Sequence, residues 1–210
     1  MSFFAGSTQD GPTAADEVTY RSPPWMAPPE HVVAATVPFD PVVLVGGPPV
    51  AVVVSGFAAC VDGMSCRLDL RIHPDALKTW DRDRRSRVVH GQSLSIGFGF
   101  ADGSRAVHVP DAGGRRTPWA MPDTPVISML GGGGGLLSQT LQLWVWPLPP
   151  AGALTMVVAS EMLDLPERSV SLDSGPIRRA AASAVQLWSD DRPFPPPPPW
   201  TGRTSTTETS

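Results

Sequence analysis

The sequence predicts a mainly β fold, an antiparallel β-sandwich or open barrel of about seven to eight strands with one C-terminal α-helix. Three observations predict it. Apolar residues alternate with polar or small ones over much of the chain, two Asp-Gly pairs separate such runs, and one helical stripe of apolar residues occurs near the C-terminus. The 25 prolines and 20 glycines require many turns and disfavour long helices.

The composition divides the chain into one domain and two tails. Residues 1–28 are polar and turn-rich, so we expect them to be disordered or loosely draped. Residues 29–190 contain the alternating segments and form the single predicted β-rich domain. Residues 191–210 are rich first in proline and then in serine and threonine, which is typical of a disordered tail.

A long hairpin is predicted in the first half of the domain. Residues 31–37 and 42–45 precede it as two short strands, followed by a turn at 46–49. Asp62-Gly63 predicts the two-residue turn of the hairpin. The side chains expected on its core face are Val53, Phe57, Ala59 and Val61 on the first arm and Met64, Cys66, Leu68, Leu70 and Ile72 on the second.

The two cysteines lie on this hairpin. The predicted turn places Cys60 opposite Ser65 and Cys66 opposite Ala59, so the two sulfurs point to opposite faces of the sheet. We therefore expect two free thiols. Neither cysteine has the neighbouring Cys or His that a four-ligand metal site needs, so no metal site is predicted.

A second hairpin is predicted around Asp102-Gly103, again with a two-residue turn. His108 is expected on its polar face. The residues expected on its apolar face are Leu94, Ile96, Phe98, Phe100, Val107 and Val109.

The segment between the hairpins is charged. Residues 74–77 predict a single helical turn, and residues 81–87 form a dense basic run with two interleaved aspartates, which we interpret as a solvated loop. The net charge of −4 argues against a dedicated nucleic-acid-binding protein, so we predict no nucleic-acid partner. A nucleic-acid role for Arg82 to Arg87 is kept only as the third functional hypothesis.

Five consecutive glycines, residues 131–135, separate two further predicted strands at 126–130 and 136–146. A phosphate-binding Walker loop would continue with Lys and Ser or Thr and then a helix, whereas here a strand follows. We therefore predict a flexible hairpin loop. In the second strand, Trp144 and Trp146 lie on the face opposite to Leu143. Residues 154–159 predict one more strand.

The last predicted element is a helix of about 12 to 14 residues. Asp173 or Ser174 can cap it, and its first turn accepts Pro176. We expect its apolar stripe to pack against other elements, with the outward face of the Trp144/Trp146 strand as one candidate. The stripe consists of Ile177, Ala181, Ala184 and Trp188.

No catalytic, cofactor-binding or metal-binding constellation is predicted. The four histidines are dispersed, no known nucleophile or zinc motif occurs, and Glu161, Asp164 and Glu167 are interpreted as solvated loop charges. The chain has no apparent signal peptide and no uninterrupted apolar run of about 18 residues, so a cytoplasmic location without a membrane partner is expected.

The leading functional hypothesis is a non-enzymatic protein-interaction or accessory protein that binds a protein partner or self-associates. Its candidate interface residues are Trp144, Trp146, Trp188, Phe194 and Trp200. The simpler interpretation is that Trp144, Trp146 and Trp188 pack together in the core. The proline run after Phe194 fits either a polyproline ligand or a stiff spacer.

The alternative hypothesis is an enzyme or small-ligand-binding protein with a pocket at one end of the sandwich. That pocket would be built from loops near His73, His90, Arg115 and Arg116.

Two segments carry a resemblance: Leu-Trp-Val-Trp-Pro-Leu-Pro-Pro at 143–150 and Ala-Ala-Ala-Ser-Ala-Val-Gln-Leu-Trp at 180–188. Over about residues 140–190 the chain resembles uncharacterised proteins of high-GC actinobacteria. The resemblance implies a bacterial origin, in agreement with the single lysine and the absence of asparagine. It implies no activity and no functional residue.

Overall fold

The chain folds as a mainly β protein. The structure, a computed structural model, describes residues 20–89, 93–110 and 120–194. The strands are β1 (Val32–Val33), β2 (Ala35–Val37), β3 (Val42–Val45), β4 (Val50–Cys60), β5 (Gly63–Ile72), β6 (Ser95–Gly99), β7 (Arg105–His108), β8 (Val126–Gly135), β9 (Ser138–Trp146), β10 (Ala153–Ser160), β11 (Leu165–Asp173) and β12 (Val185–Gln186). The helices are α1 (Arg82–Val89) and α2 (Gly175–Ala182), with a 3₁₀ helix at Pro74–Lys78.

The strands form three antiparallel sheets within the described residues. The largest has the order β2-β4-β5-β9-β8, with β3 also paired to β4; the second has the order β11-β10-β6-β7, and the third consists of β1 and β12. Alternating apolar residues of the two larger sheets, such as Leu68 and Met156, belong to one hydrophobic core. Burial of that core is the main stabilising contribution to the fold.

The first hairpin, β4 and β5, is confirmed, but its turn is shifted. Cys60 pairs with Gly63, so the turn residues are Val61 and Asp62, and Val61 is 74% exposed rather than in the core. A β-bulge at Ser55 changes which residues of β4 point inward, so Val53, predicted inside, is only half-buried. The buried residues of β4 are Val50, Val52 and Val54 before the bulge and Phe57, Ala59 and Cys60 after it.

The second hairpin, β6 and β7, is also confirmed, but its loop has three residues rather than two. The Phe100 N–H donates to the Ser104 carbonyl, and Gly103 adopts a φ of 84°, as in a three-residue hairpin loop. The extra loop residue moves each side chain of β7 to the opposite face of the sheet. Val107 and Val109 are therefore 60% and 46% exposed, contrary to the prediction.

The inward positions of β7 are taken by Ala106, which is fully buried, and by His108, which lies opposite Ile96. The prediction that His108 lies on the polar face is therefore wrong. Burial lowers the pKa of His108 below its usual value of 6.5.

The five glycines are part of strand β8, and the predicted flexible hairpin loop is wrong. Gly135 pairs with Ser138 and Gly131 with Gln142, so the turn lies at Leu136 and Leu137. A Cβ on Gly134 would lie only 2.0 Å from the Ser138 carbonyl oxygen. Glycine therefore allows the close approach of β8 to β9.

Three elements were not predicted: α1, β11 and β12. The basic run is helix α1, which begins after Asp81 because the Asp81 carboxylate accepts the Arg84 N–H at 2.7 Å. Val88, in its last turn, is buried. Residues 165–173, expected as a loop that includes Glu167, form the edge strand β11, which pairs with β10. Exposed polar residues dominate β11, so its sequence pattern is weak.

Helix α2 is shorter than predicted and packs elsewhere. It ends at Ala182, so Ala184 and Trp188 lie beyond it. Ile177, Ala180 and Ala181 are buried, and the helix packs against β4 and β2 rather than on the Trp144/Trp146 face of β9. Its end frees residues 185–186 to pair with β1.

Candidate functional site: an exposed apolar ribbon

Two segments far apart in the sequence, residues 20–33 and 185–194, lie together, and we call this region the terminal junction. Strand β1 pairs with β12, and beside this pair the Leu187 N–H donates to the His31 carbonyl at 2.8 Å. These contacts join positions about 150 residues apart along the chain. The junction therefore fixes a short ribbon that neither segment could form by itself.

An ionic cluster holds the terminal junction together. The guanidinium of Arg192 donates two hydrogen bonds of 2.8 Å to the carboxylate of Asp190 and one of 2.7 Å to Glu30. His31 Nδ1 lies 3.5 Å from Asp190 Oδ2. The hydrogen bonds from Arg192 lower the pKa of Asp190 well below its usual range and raise that of Arg192. The Asp190 side chain is only 4% exposed, so its charge needs these partners.

An aromatic row links the junction to the larger sheet. The ring centroids of Trp25 and Trp146 are 6.0 Å apart in an edge-to-face arrangement, and those of Trp25 and Phe194 are 6.5 Å apart and stacked. The Arg21 guanidinium lies 3.9 Å from the Phe194 ring centroid, within the range of a cation–π interaction. Trp25 is therefore the central contact of the junction.

The ribbon exposes a cluster of apolar side chains, which we call the ribbon patch: Val33, Val185, Leu187 and Trp188. Val33 lies directly opposite Val185 in the β1–β12 pair, and Leu187 projects to the same face because side chains alternate along a strand. Their exposed fractions are 51%, 56% and 51%, and that of the adjacent Trp188 is 54%. Single exposed apolar residues are ordinary, whereas a contiguous group indicates a binding surface.

Comparison of the chain with family models, with curated proteins and with solved structures finds no match. The resemblance of residues 140–190 to actinobacterial proteins therefore stays a prediction. None of the helices in the described part of the chain is long and apolar enough to cross a membrane.

Two of the predicted interface residues, Trp144 and Trp146, lie on the outer face of β9 beneath the N-terminal segment. Trp144 is completely buried, and its indole N–H donates to the Pro24 carbonyl at 2.7 Å. The Ser128 hydroxyl donates to the Trp25 carbonyl at 3.1 Å. Residues 24–25 thus cover this face from within the same chain.

The remaining predicted interface residues differ in exposure. Trp188 is exposed in the ribbon patch, whereas Trp144 is buried. The simpler interpretation, in which Trp188 packs in the core with Trp144 and Trp146, is therefore wrong for Trp188. Phe194 is 43% exposed and stacks on Trp25. Trp200 lies outside the described residues.

Of the residues of the alternative ligand site, only His73 lies in the described part of the chain. His73 caps the 3₁₀ helix, where its ring nitrogen accepts the Asp75 N–H at 3.3 Å, whereas His90, Arg115 and Arg116 lie outside the described residues. No group of three His, Cys, Asp or Glu side chains that could hold a metal ion occurs among the described residues. The cleft in the terminal junction has a volume of about 180 Å³, which is smaller than the several hundred Å³ of a typical ligand pocket.

The basic run of α1 is partly neutralised by contacts within the chain. Arg84 forms an ion pair of 2.8 Å with Asp164, one of the three carboxylates considered for catalysis, and lies 4.9 Å from the ring centroid of Trp80. Glu161 and Asp164 lie in the turn between β10 and β11, where the Asp164 N–H donates to the Glu161 carbonyl at 3.1 Å, and Glu167 lies on β11.

Both cysteines are free, as predicted, and both are buried. Cys60 lies at the end of β4, opposite Gly63, and Cys66 lies opposite Phe57. Burial raises the pKa of both thiols, because the thiolate form loses its hydration. Neither thiol is placed to act as a nucleophile.

Proposed function

We propose that this chain is a non-enzymatic protein-interaction or accessory protein, a two-sheet β-sandwich that binds a protein partner through the ribbon patch. The observation that carries the proposal is the exposure of Val33, Val185 and Leu187 on one face of the ribbon, followed in sequence by Trp188, each of them more than half exposed. Burial of such a group against an apolar face of a partner is favourable at roughly 25 cal/mol per Å². Tryptophan, represented here by Trp188, is enriched among the residues that dominate binding energy.

The terminal junction supports this proposal because it holds the ribbon patch in place before a partner arrives. The ion pairs of Arg192 with Asp190 and Glu30 fix the segment that follows Trp188. A preorganised patch loses less conformational entropy on binding than a flexible segment. We also propose a cytoplasmic location, which the two free thiols support, since reducing compartments keep cysteines unpaired.

The test is affinity capture of the full-length protein from its source cells, with three variants in parallel. Trp188→Ser and Leu187→Ser change the patch, and Val43→Ser removes a valine that is more exposed than either but lies on β3, which pairs with the other end of β4 from β2. We expect one stoichiometric partner with wild type and Val43→Ser, and its loss with both patch variants. Capture that is unchanged in the patch variants would refute the proposal, and so would a wild type that shows neither a partner nor any self-association that the patch variants weaken.

A further inference from the structure

The outer face of the sheet β11-β10-β6-β7 carries a trough along β6. Ile96 and Phe98 point into the core, so the outward positions of β6 are Ser95, Gly97 and Gly99. The floor of the trough therefore has almost no side chains. Its volume is about 590 Å³.

The chain's own interior does not require glycine in this trough. A Cβ on Gly97 would have no neighbour closer than 3.7 Å, and one on Gly99 none closer than 3.8 Å. Both are ordinary van der Waals distances, so alanine would fit at either position. The open floor leaves room for atoms from outside the chain.

The walls of the trough are apolar in the middle. Val107 on β7 and Val157 on β10 both pair with Gly97, so they flank it on the same face. Val107 is 60% exposed. An apolar centre between polar corners is the usual organisation of a protein interface.

Two opposite charges occupy diagonal corners of this face. Arg105 lies at one end of β7 opposite Gly99, and Glu167 lies on β11 at the opposite edge of the sheet. Both side chains line the trough, and neither forms an ion pair or hydrogen bond with another described side chain. Three strand spacings separate β7 from β11, about 14 Å.

We propose that a second copy of this chain packs face to face on the β6 trough. A cation and an anion at opposite corners make the face self-complementary: a two-fold axis in the plane of the interface places Arg105 of each copy against Glu167 of the other. Such a rotation uses the same patch on both copies and closes the assembly as a dimer. Both unpaired charges gain a partner.

The packing geometry fits a known class of sheet contact. With the usual strand spacings, the rotation that joins Arg105 to Glu167 crosses the strands of the two copies at nearly a right angle, which is the orthogonal class of sheet packing. It also lays the exposed Val107 of each copy over the small side chains of Ser95 and Ala159 of the other. Small residues on one face therefore receive the protruding valine of the other.

Charge reversal tests the proposal directly. We expect full-length wild type to sediment as a dimer, whereas Arg105→Glu and Glu167→Arg should each weaken the dimer at least about tenfold, because each creates two like-charge contacts. An equimolar mixture of the two variants should dimerise again, since an Arg105→Glu copy facing a Glu167→Arg copy restores two attractive pairs. A small-molecule site in the trough would not produce this rescue.

Two controls separate association from folding and from the proposed function. Val107→Asp should abolish the dimer and Val61→Asp should not, with far-UV circular dichroism showing that both variants are folded. Partner capture through the ribbon patch should be unaffected by Arg105→Glu, so the two proposals can fail independently. Wild type that stays monomeric at about 100 µM, or single reversals that associate as well as wild type, would overturn the inference.

Discussion

Alanine substitutions at two adjacent glycines of β8 distinguish a paired strand from a flexible loop. Gly134 has a φ of +144°, and its Cβ would lie 2.0 Å from the Ser138 carbonyl oxygen and 2.9 Å from the carbonyl carbon. Alanine there must strain its backbone and also push β8 away from β9. Strain of this kind costs about 1–3 kcal/mol, and the displaced pairing adds to it, so we expect Gly134→Ala to reduce the free energy of unfolding by about 2–4 kcal/mol.

Gly133 is the matched control, because a Cβ there meets no heavy atom within 4 Å and its φ is not in the left-handed region. Gly133→Ala should increase the free energy of unfolding by about 0.4–1 kcal/mol, since alanine restricts the unfolded chain more than glycine does. Urea unfolding followed by far-UV circular dichroism measures both values. Variants that differ by less than about 0.5 kcal/mol would contradict the paired strand and restore the loop interpretation.

Three further predictions concern burial. Trp144→Ala should lower the free energy of unfolding by about 3–5 kcal/mol and Trp188→Ala by less than about 0.5, and equal losses in urea unfolding would contradict their assigned environments. Burial lowers the pKa of His108 below 6.5, so the unfolded state binds a proton at a higher pH than the folded state does, and the free energy of unfolding should fall as the pH drops below 6.5. His108→Gln should reduce this pH dependence in urea unfolding measured above and below pH 6.5. An unchanged pH dependence would show that His108 is not buried as described. Cys60 and Cys66 should react with a thiol reagent only after unfolding, and rapid labelling of the native protein would show that they are accessible.

Elements marked by local patterns were predictable from the sequence. The alternation of Leu68 and Leu70 with charged residues predicts β5, and the apolar residues of β10 predict that strand within one residue at each end. The prediction of two free thiols is also confirmed, and it rested on the alternation of side chains between the two faces of the sheet on either side of the hairpin turn. In each case the determining signal lies within a few residues of the element itself.

The position of the first turn and the length of the second loop were the main sources of error. Asp62-Gly63 and Asp102-Gly103 both fit a two-residue turn, but the first turn uses Val61 and Asp62, and the second loop includes Ala101. The bulge at Ser55 has no sequence signal that alternation can detect, because it is itself an interruption of alternation. Local composition therefore located the hairpins and left their registers undetermined.

The terminal junction could not be predicted, because its contacts are non-local. Trp25 lies in a proline-rich segment without periodicity, yet it contacts Trp146 and Phe194. A large aromatic residue in an otherwise polar segment was the one available signal that this segment is covered by other residues. The pairing of Val33 with Val185 likewise depends on where α2 ends. The apolar stripe predicts a helix that ends several residues later than Ala182.

The three-residue loop between β6 and β7 determines what the second sheet presents to its surroundings. With a two-residue turn, β7 would be turned over: Val107 would enter the core, and Ala106 and His108 would face outward. Because the loop has three residues, Ala106 fills the core position opposite Phe98, and Val107 and Arg105 project beside the glycines of β6. The proposed dimer face therefore depends on the left-handed conformation of Gly103, so Gly103→Val should weaken self-association even though the residue lies in a loop. Dimerisation unchanged in a folded Gly103→Val protein would show that the loop does not control this face.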